Sequence, residues 1–199
     1  MKYNFGIDID GVITDEGPDH NSIWQKKMNE FFERKIKLEE YTYDLRRAFN
    51  INDKELNDFI QAKIEDVYSS VKPVEKAKET LEELYNNGHK IILITAREQK
   101  HRPITENWLK KNNIPYHELH HNDNKAPLAA EKNISLFIDD RKENAYEIAA
   151  KDIPVILVNK YHNYDFKGNE KITKVKDWSE IKEKINLLVS KNTHSGKFS

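Results

Sequence analysis

The sequence contains no cysteine. That single absence excludes a disulfide framework, a thiolate zinc site and a thiol nucleophile. Glycine and proline are sparse, six of each in 199 residues, which argues against a low-complexity chain. No apolar run approaches the roughly 20 residues that span a bilayer. The opening segment Met1-Lys2-Tyr3-Asn4-Phe5-Gly6-Ile7-Asp8 meets an acid before the apolar core of a signal peptide could form. Both features point to a soluble cytoplasmic protein. An excess of one charge is missing too: 33 Lys and Arg stand against 34 Asp and Glu, for a formal net charge of −1. Such a surface has no general attraction for polyanions or anionic lipid, so neither a nucleic-acid polymer nor a membrane is expected as partner.

What is present is an alternation of short β-branched runs with longer helical patterns, the signature of an α/β fold with a Rossmann-like parallel sheet. Strands are expected at Phe5–Ile9, Ile91–Ile94, Tyr116–Leu119, Leu136–Ile138 and Val155–Val158, with an edge strand at Ile172–Val175. Several are hydrophobic almost throughout, as strands covered on both faces should be. Val74, Ala77, Leu81 and Leu84 recur at helical spacing, with Gly88 where a C-terminal cap belongs. Ile104, Trp108 and Leu109 mark another helix, and Asn144–Ala150 and Trp178–Val189 two more. Lys191–Ser199 is polar and unpatterned, and is expected to be a disordered tail.

The alternation breaks between Gly17 and Lys72, where only helical stripes occur. One stripe is Ile23, Trp24, Met28, Phe31 and Phe32; the other is Leu56, Phe59, Ile60, Ile64 and Val67, with Asn52 or Asp53 as its cap. The expected organisation is therefore an α/β core of residues 1–16 and 73–190 with a small helical cap, residues 17–72, inserted after strand 1. Such an insert would lie over the carboxyl ends of the strands, where open α/β sheets bind ligands.

The sharpest motif is Phe5-Gly6-Ile7-Asp8-Ile9-Asp10-Gly11-Val12-Ile13. Alternation puts Asp8 and Asp10 on one side if the strand continues that far. Two close carboxylates need a cation or a shared proton, and an oxygen-only donor set favours a hard ion such as Mg²⁺. An EF-hand loop is excluded, because its sixth position would be Ile13 rather than Gly and its twelfth Asp19 rather than Glu. A glycosidase pair normally comes from separate elements. Standing alone, the two acids could simply cap a turn before Gly11.

Three further features accompany them. The run Ile91-Ile92-Leu93-Ile94 ends in Thr95-Ala96-Arg97, where a hydroxyl and backbone N–H groups can hold a phosphoryl oxygen. Lys125, in Asn122-Asp123-Asn124-Lys125-Ala126-Pro127, stands at a helix start and could neutralise a phosphate. Leu136-Phe137-Ile138 runs into Asp139-Asp140, adjacent acids after a buried strand.

In this order, the set resembles the four motifs of the haloacid dehalogenase superfamily over residues 5 to 158, and the insert resembles a cap placed between strand 1 and the second motif. Tyr43-Asp44-Leu45, Ile94-Thr95-Ala96-Arg97, Trp108 and Ile153-Pro154-Val155 make the chain similar to the bacterial branch related to cytosolic 5′(3′)-deoxyribonucleotidases, the pyrimidine 5′-nucleotidase type C group.

The resemblance implies that Asp8 is a nucleophile forming an aspartyl-phosphate and that Asp10 is the general acid and base. The presence of Asp10 implies phosphomonoester rather than carbon–halogen chemistry. It further implies Mg²⁺ held by Asp8, by Asp10 through its carbonyl, and by Asp140, with Asp139 either a partner of Lys125 or a ligand through water. Thr95, Ala96, Arg97 and Lys125 are the implied phosphate contacts. The implied partner is a small phosphorylated metabolite, a nucleoside monophosphate first and a sugar phosphate as the alternative. A non-catalytic binding module is disfavoured, since Asp8, Asp10 and Lys125 are all present.

Other residues carry two readings. Arg97 and Arg141 could touch a phosphate or an acid across the cleft, or form surface salt bridges. Trp24, Phe31 and Tyr43 could stack on a base or pack the cap. His117, His120 and His121 invite a zinc reading but lack acidic or Cys complements at suitable spacing. Nothing in the sequence fixes an oligomeric state.

Overall fold

The computed structural model describes residues 2–194. Strand β1 (Asn4–Ile7) leads into a tight turn and a short arm, β2 (Thr14–Asp15). The helical insert follows as α1 (Ile23–Phe32), α2 (Leu45–Phe49) and α3 (Asp53–Ser70). The chain returns through β3 (Lys72–Pro73), which pairs antiparallel with β2. Then come α4 (Ala77–Asn86), β4 (Lys90–Thr95), α5 (Arg102–Lys111), β5 (Glu118–His121), α6 (Lys125–Glu131) and β6 (Leu136–Asp139). The last elements are α7 (Lys142–Ala149), β7 (Val155–Val158), β8 (Ile172–Val175) and α8 (Trp178–His194).

Six strands form one parallel sheet in the order β5-β4-β1-β6-β7-β8. The period-2 alternation of β4 divides the core: Ile91 and Leu93 pack on one face with α4, α5 and α8, while Ile92 and Ile94 pack on the other with α6 and α7. Connections leave β1 toward β4 and leave β6 toward β7, so the carboxyl ends of β1 and β6 flank a topological switch point. That is where open sheets of this kind bind ligands.

The insert packs around its own apolar cluster, with Met28, Phe49, Phe59 and Val67 at its centre. Asn52 caps α3 through a reciprocal box with Glu55, one of the two caps expected. Gly88 closes α4 with φ +73°. Its N–H donates to the Tyr85 carbonyl at 2.9 Å and that of His89 to Leu84 at 3.0 Å, the two bonds of a Schellman cap. Among the described residues no helix is long and apolar enough to cross a membrane.

Several boundaries depart from expectation. Strand β1 stops at Ile7 rather than Ile9, because the Ile9 carbonyl accepts N–H groups from Val12, Ile13 and Thr14 and curls the chain. Strand β5 lies two residues later than Tyr116–Leu119. Helix α8 runs past Val189 and through Lys191 to His194, so the expected tail is helical in its first part. Its remainder, residues 195–199, lies outside the described residues. The short α2 and the β2–β3 arm were not expected.

Candidate active site

Because β1 ends at Ile7, Asp8 and Asp10 lie in the turn and take different partners. Asp8 is buried, accepts from the Ile9 N–H at 2.7 Å, and pairs with Lys125 Nζ at 2.7 Å. Lys125, at the first turn of α6, also pairs with Asp139 at 2.9 Å and is itself only 1% exposed. Asp139 is fully enclosed and accepts from the Arg141 N–H at 2.8 Å and from Asn144 Nδ2 at 3.1 Å. Asp140 points the other way, with Oδ2 3.2 Å from His162 Nε2, while its carbonyl accepts from Asn163 Nδ2 at 2.6 Å.

Burial and the neighbouring acids Asp139, Asp140 and Asp10 push the Asp8 carboxyl well above its ordinary range, against the pull of Lys125. Burial alone would lower Lys125, but Asp139 and Asp8 outweigh it and raise it. Burial works upward on Asp140 as well, yet the His162 contact, Lys160 and Lys125 hold it below the usual value. Among the described residues Asp8, Asp139 and Asp140 each offer an oxygen within 4.8 Å of the others. One lysine against three buried carboxylates leaves negative charge in excess. An all-oxygen set of that kind fits a hard divalent cation such as Mg²⁺.

The turn depends on Gly11. Its φ is +70°, and a Cβ there would stand 2.2 Å from Asp140 Oδ2. The same turn is pinned from α8, where Trp178 Nε1 donates to the Val12 carbonyl at 2.8 Å.

Of the readings offered by the sequence, Arg97 takes the acid across the cleft. Its guanidinium is buried and grips Asp10 with two hydrogen bonds, Nε to Oδ2 at 2.8 Å and Nη2 to Oδ1 at 2.6 Å. It is not a surface salt bridge. Thr95, buried at the end of β4, accepts the Arg97 N–H on Oγ1 at 3.2 Å. Ala96 is exposed and lines the cavity.

That cavity, about 200 Å³, lies between cap and sheet. Its floor includes Asp10, Arg97 and Asp140, and its aromatic walls are Trp24, Tyr43 and Tyr68 from the insert with Tyr161 from the loop after β7. Phe31 does not reach it; it packs edge-on to Phe32 and Phe59 in the cap core. Arg141 stacks over Tyr43 at 4.4 Å and contacts Glu143 at 3.4 Å. Glu16 also lines the cavity, accepts from Trp24 Nε1 at 3.0 Å, and is pushed up to about 7 by burial, with Asp10 and Asp140 adding to the effect.

The three histidines diverge. His117 stacks on Tyr85, His120 contacts Glu118 at 2.8 Å, and His121 Nδ1 donates to the Arg97 carbonyl at 3.0 Å. They make no common metal site. Residues passed over in the sequence are Glu16, Tyr68, Asn144, Tyr161, His162 and Asn163. Tyr161, His162 and Asn163 stand just past the carboxyl end of the hydrophobic β7, a position that signals a site residue in open sheets. Tyr68 has no such signal, since it reads as one more residue on an amphipathic helix.

The family model for cytosolic type C 5′ nucleotidases, deoxy (pyrimidine), matches residues 3–193. The chain belongs to this family. A nucleotidase of Clostridium acetobutylicum is 30% identical over 197 residues, covering 96% of this chain and 97% of its own. A predicted nucleotidase of Bacillus subtilis is 34% identical over 185 residues, covering 91% and 92%. Solved folds agree: a haloacid dehalogenase superfamily hydrolase from Geobacter sulfurreducens superposes with TM-score 0.62 at 14% identity, covering 94% of this chain and 96% of that one. A haloacid dehalogenase-like hydrolase from Streptococcus pneumoniae gives 0.64 at 9% identity, covering 90% and 97%. The family member described here is thus a phosphoric monoester hydrolase with the fold of that superfamily.

Proposed function

We infer that the chain is a Mg²⁺-dependent phosphomonoesterase that works through an aspartyl-phosphate and acts on ribo- or deoxyribonucleoside monophosphates. The observation that carries this reading is the convergence of Asp8, Asp10, Lys125, Asp139 and Asp140 from three separate elements onto the switch point beneath one aromatic cavity. The ring faces of Trp24, Tyr43, Tyr68 and Tyr161 suit a planar base. A cytoplasmic location belongs to the same proposal.

Each residue takes a role. An Asp8 oxygen attacks phosphorus, the P–O ester bond breaks, and a proton from Asp10 passes to the departing oxygen, so the nucleoside leaves as an alcohol. Water then attacks the aspartyl-phosphate, gives its proton to Asp10, and releases inorganic phosphate as the Asp8–P bond breaks. Asp8, Asp140 and the Asp10 carbonyl would hold Mg²⁺, which supplies charge neutralisation at the phosphoryl oxygens. Asp139, whose oxygens already serve Lys125, Asn144 and the Arg141 N–H, acts as the partner that holds Lys125 in place. Thr95, Ala96 and Lys125 contact the phosphate.

The test is phosphate release from ribo- and deoxyribonucleoside 5′- and 3′-monophosphates and from sugar phosphates, with Mg²⁺ and with EDTA. Activity on nucleotides that EDTA removes and that Asp8→Asn abolishes is the expected result. Activity that survives either would overturn the mechanism, and activity confined to sugar phosphates would overturn the nucleotide assignment.

A further inference from the structure

The guanidinium of Arg97 is held on every side. Nη1 donates to Thr105 Oγ1 at 3.2 Å, and that hydroxyl donates in turn to the His101 carbonyl at 3.1 Å. The Arg97 N–H and carbonyl are tied to Thr95 and His121. The ring of Tyr68, carried on α3, lies 3.8 Å from the guanidinium carbon. Nε and Nη2 reach one oxygen each of Asp10. A carboxylate offers about four lone-pair directions. Arg97 occupies one on each oxygen and leaves the others for a group in the cavity, onto which Asp10 opens with 30% of its side chain exposed.

We propose that Arg97 is the positioning residue for Asp10, and that Tyr68 makes this position depend on a docked cap. The inference rests on the phosphatase reading. Asp10 delivers its proton to the ester oxygen only when its carboxyl is aimed at that oxygen, and the two-point grip fixes the carboxyl plane as a single contact cannot. Tyr68 is a wall of the guanidinium supplied by α3 of the insert. Withdrawal of α3 removes it and frees Arg97 to turn, so proton delivery is aligned when the cap covers the cavity.

Leaving-group dependence separates this role from a purely structural one. The p-nitrophenolate ion departs without a proton, whereas phenolate and a nucleoside alkoxide need one. kcat/KM covers only the steps through leaving-group departure, so the later hydrolysis of the aspartyl-phosphate does not mask the effect. The measurement is kcat/KM with Mg²⁺ for p-nitrophenyl phosphate, phenyl phosphate and a nucleoside 5′-monophosphate.

For Arg97→Gln, the ratio of p-nitrophenyl to phenyl phosphate is expected to rise about tenfold or more, and the nucleotide to lose on the order of 10²-fold. Arg97→Lys, which keeps the charge but loses the fork, should fall between. Tyr68→Leu should shift the ratio in the same direction by about threefold. Equal losses on all three esters in the Arg97 variants would overturn the positioning role, and an unchanged ratio in Tyr68→Leu would overturn its link to the cap. Should Arg97→Gln fail to fold, Arg97→Lys and Tyr68→Leu still decide the matter. A parent protein inactive on every ester would overturn the phosphatase reading and this inference with it.

Discussion

Lys125 carries one positive charge between Asp8 and Asp139, with almost no solvent to screen it. Removing one member of such a group leaves uncompensated buried charge, which typically costs about 3 to 5 kcal/mol. Lys125→Met is therefore expected to abolish turnover and to lower the melting temperature, with added Mg²⁺ restoring more stability to the variant than to the parent; calorimetry with and without the ion checks this. Gly11→Ala combines a left-handed backbone, about 1 kcal/mol of strain for a residue with a Cβ, with a carbon placed against Asp140. Its kcat should fall by more than tenfold, since the displaced group belongs to the proposed ion site. Asp8, Asp10, Lys125 and the Asp139-Asp140 pair were legible in the sequence because their types and strand-end positions are chemically odd. For Arg97 an acid across the cleft was one reading among several, because sequence reveals a cation after a strand but not which carboxylate folding brings to it.

Helices and strands were legible where their period was sustained. The five-residue α2 is too short to show one, and the β2–β3 arm pairs only two residues on each side. The cap on α3 makes a direct test: Asn52→Ala removes the Oδ1 that accepts the Glu55 N–H, leaving only the return bond from the residue 52 N–H to Glu55, and should destabilise the protein by about 1 kcal/mol in chemical denaturation. Strand β5 offers a pH test away from the candidate site. Glu118 receives Lys90, Lys132 and His120, which hold its carboxyl down from 4.5 to about 2. A depressed folded value means stabilisation that is complete above the unfolded value and fades as pH falls toward the folded one. Glu118→Gln should thus lower stability at pH 7, and its gap from the parent should close between about pH 4.5 and pH 2 in denaturant titrations.

At the scale of the molecule, a net charge of −1 coexists with three acids crowded at one point. A small phosphate ester should respond weakly to salt, its KM moving less than about threefold between 50 and 200 mM, where tracking along a polymer would cost 10³ or more; steady-state kinetics across that range decides it. The α/β class was legible because the hydrophobic alternation is global, whereas the stacking of Tyr68 on Arg97 depends on how the insert settles over the sheet. The β2–β3 pairing has a wider consequence. By matching Thr14 to Pro73 and Asp15 to Lys72, it brings departure and return to one narrow doorway. The sheet is indifferent to the length of what hangs from such a doorway, because closing a longer loop adds little free energy. An ancestor could exchange the whole insert at that joint and keep its catalytic floor, so substrate preference and chemistry can be inherited apart.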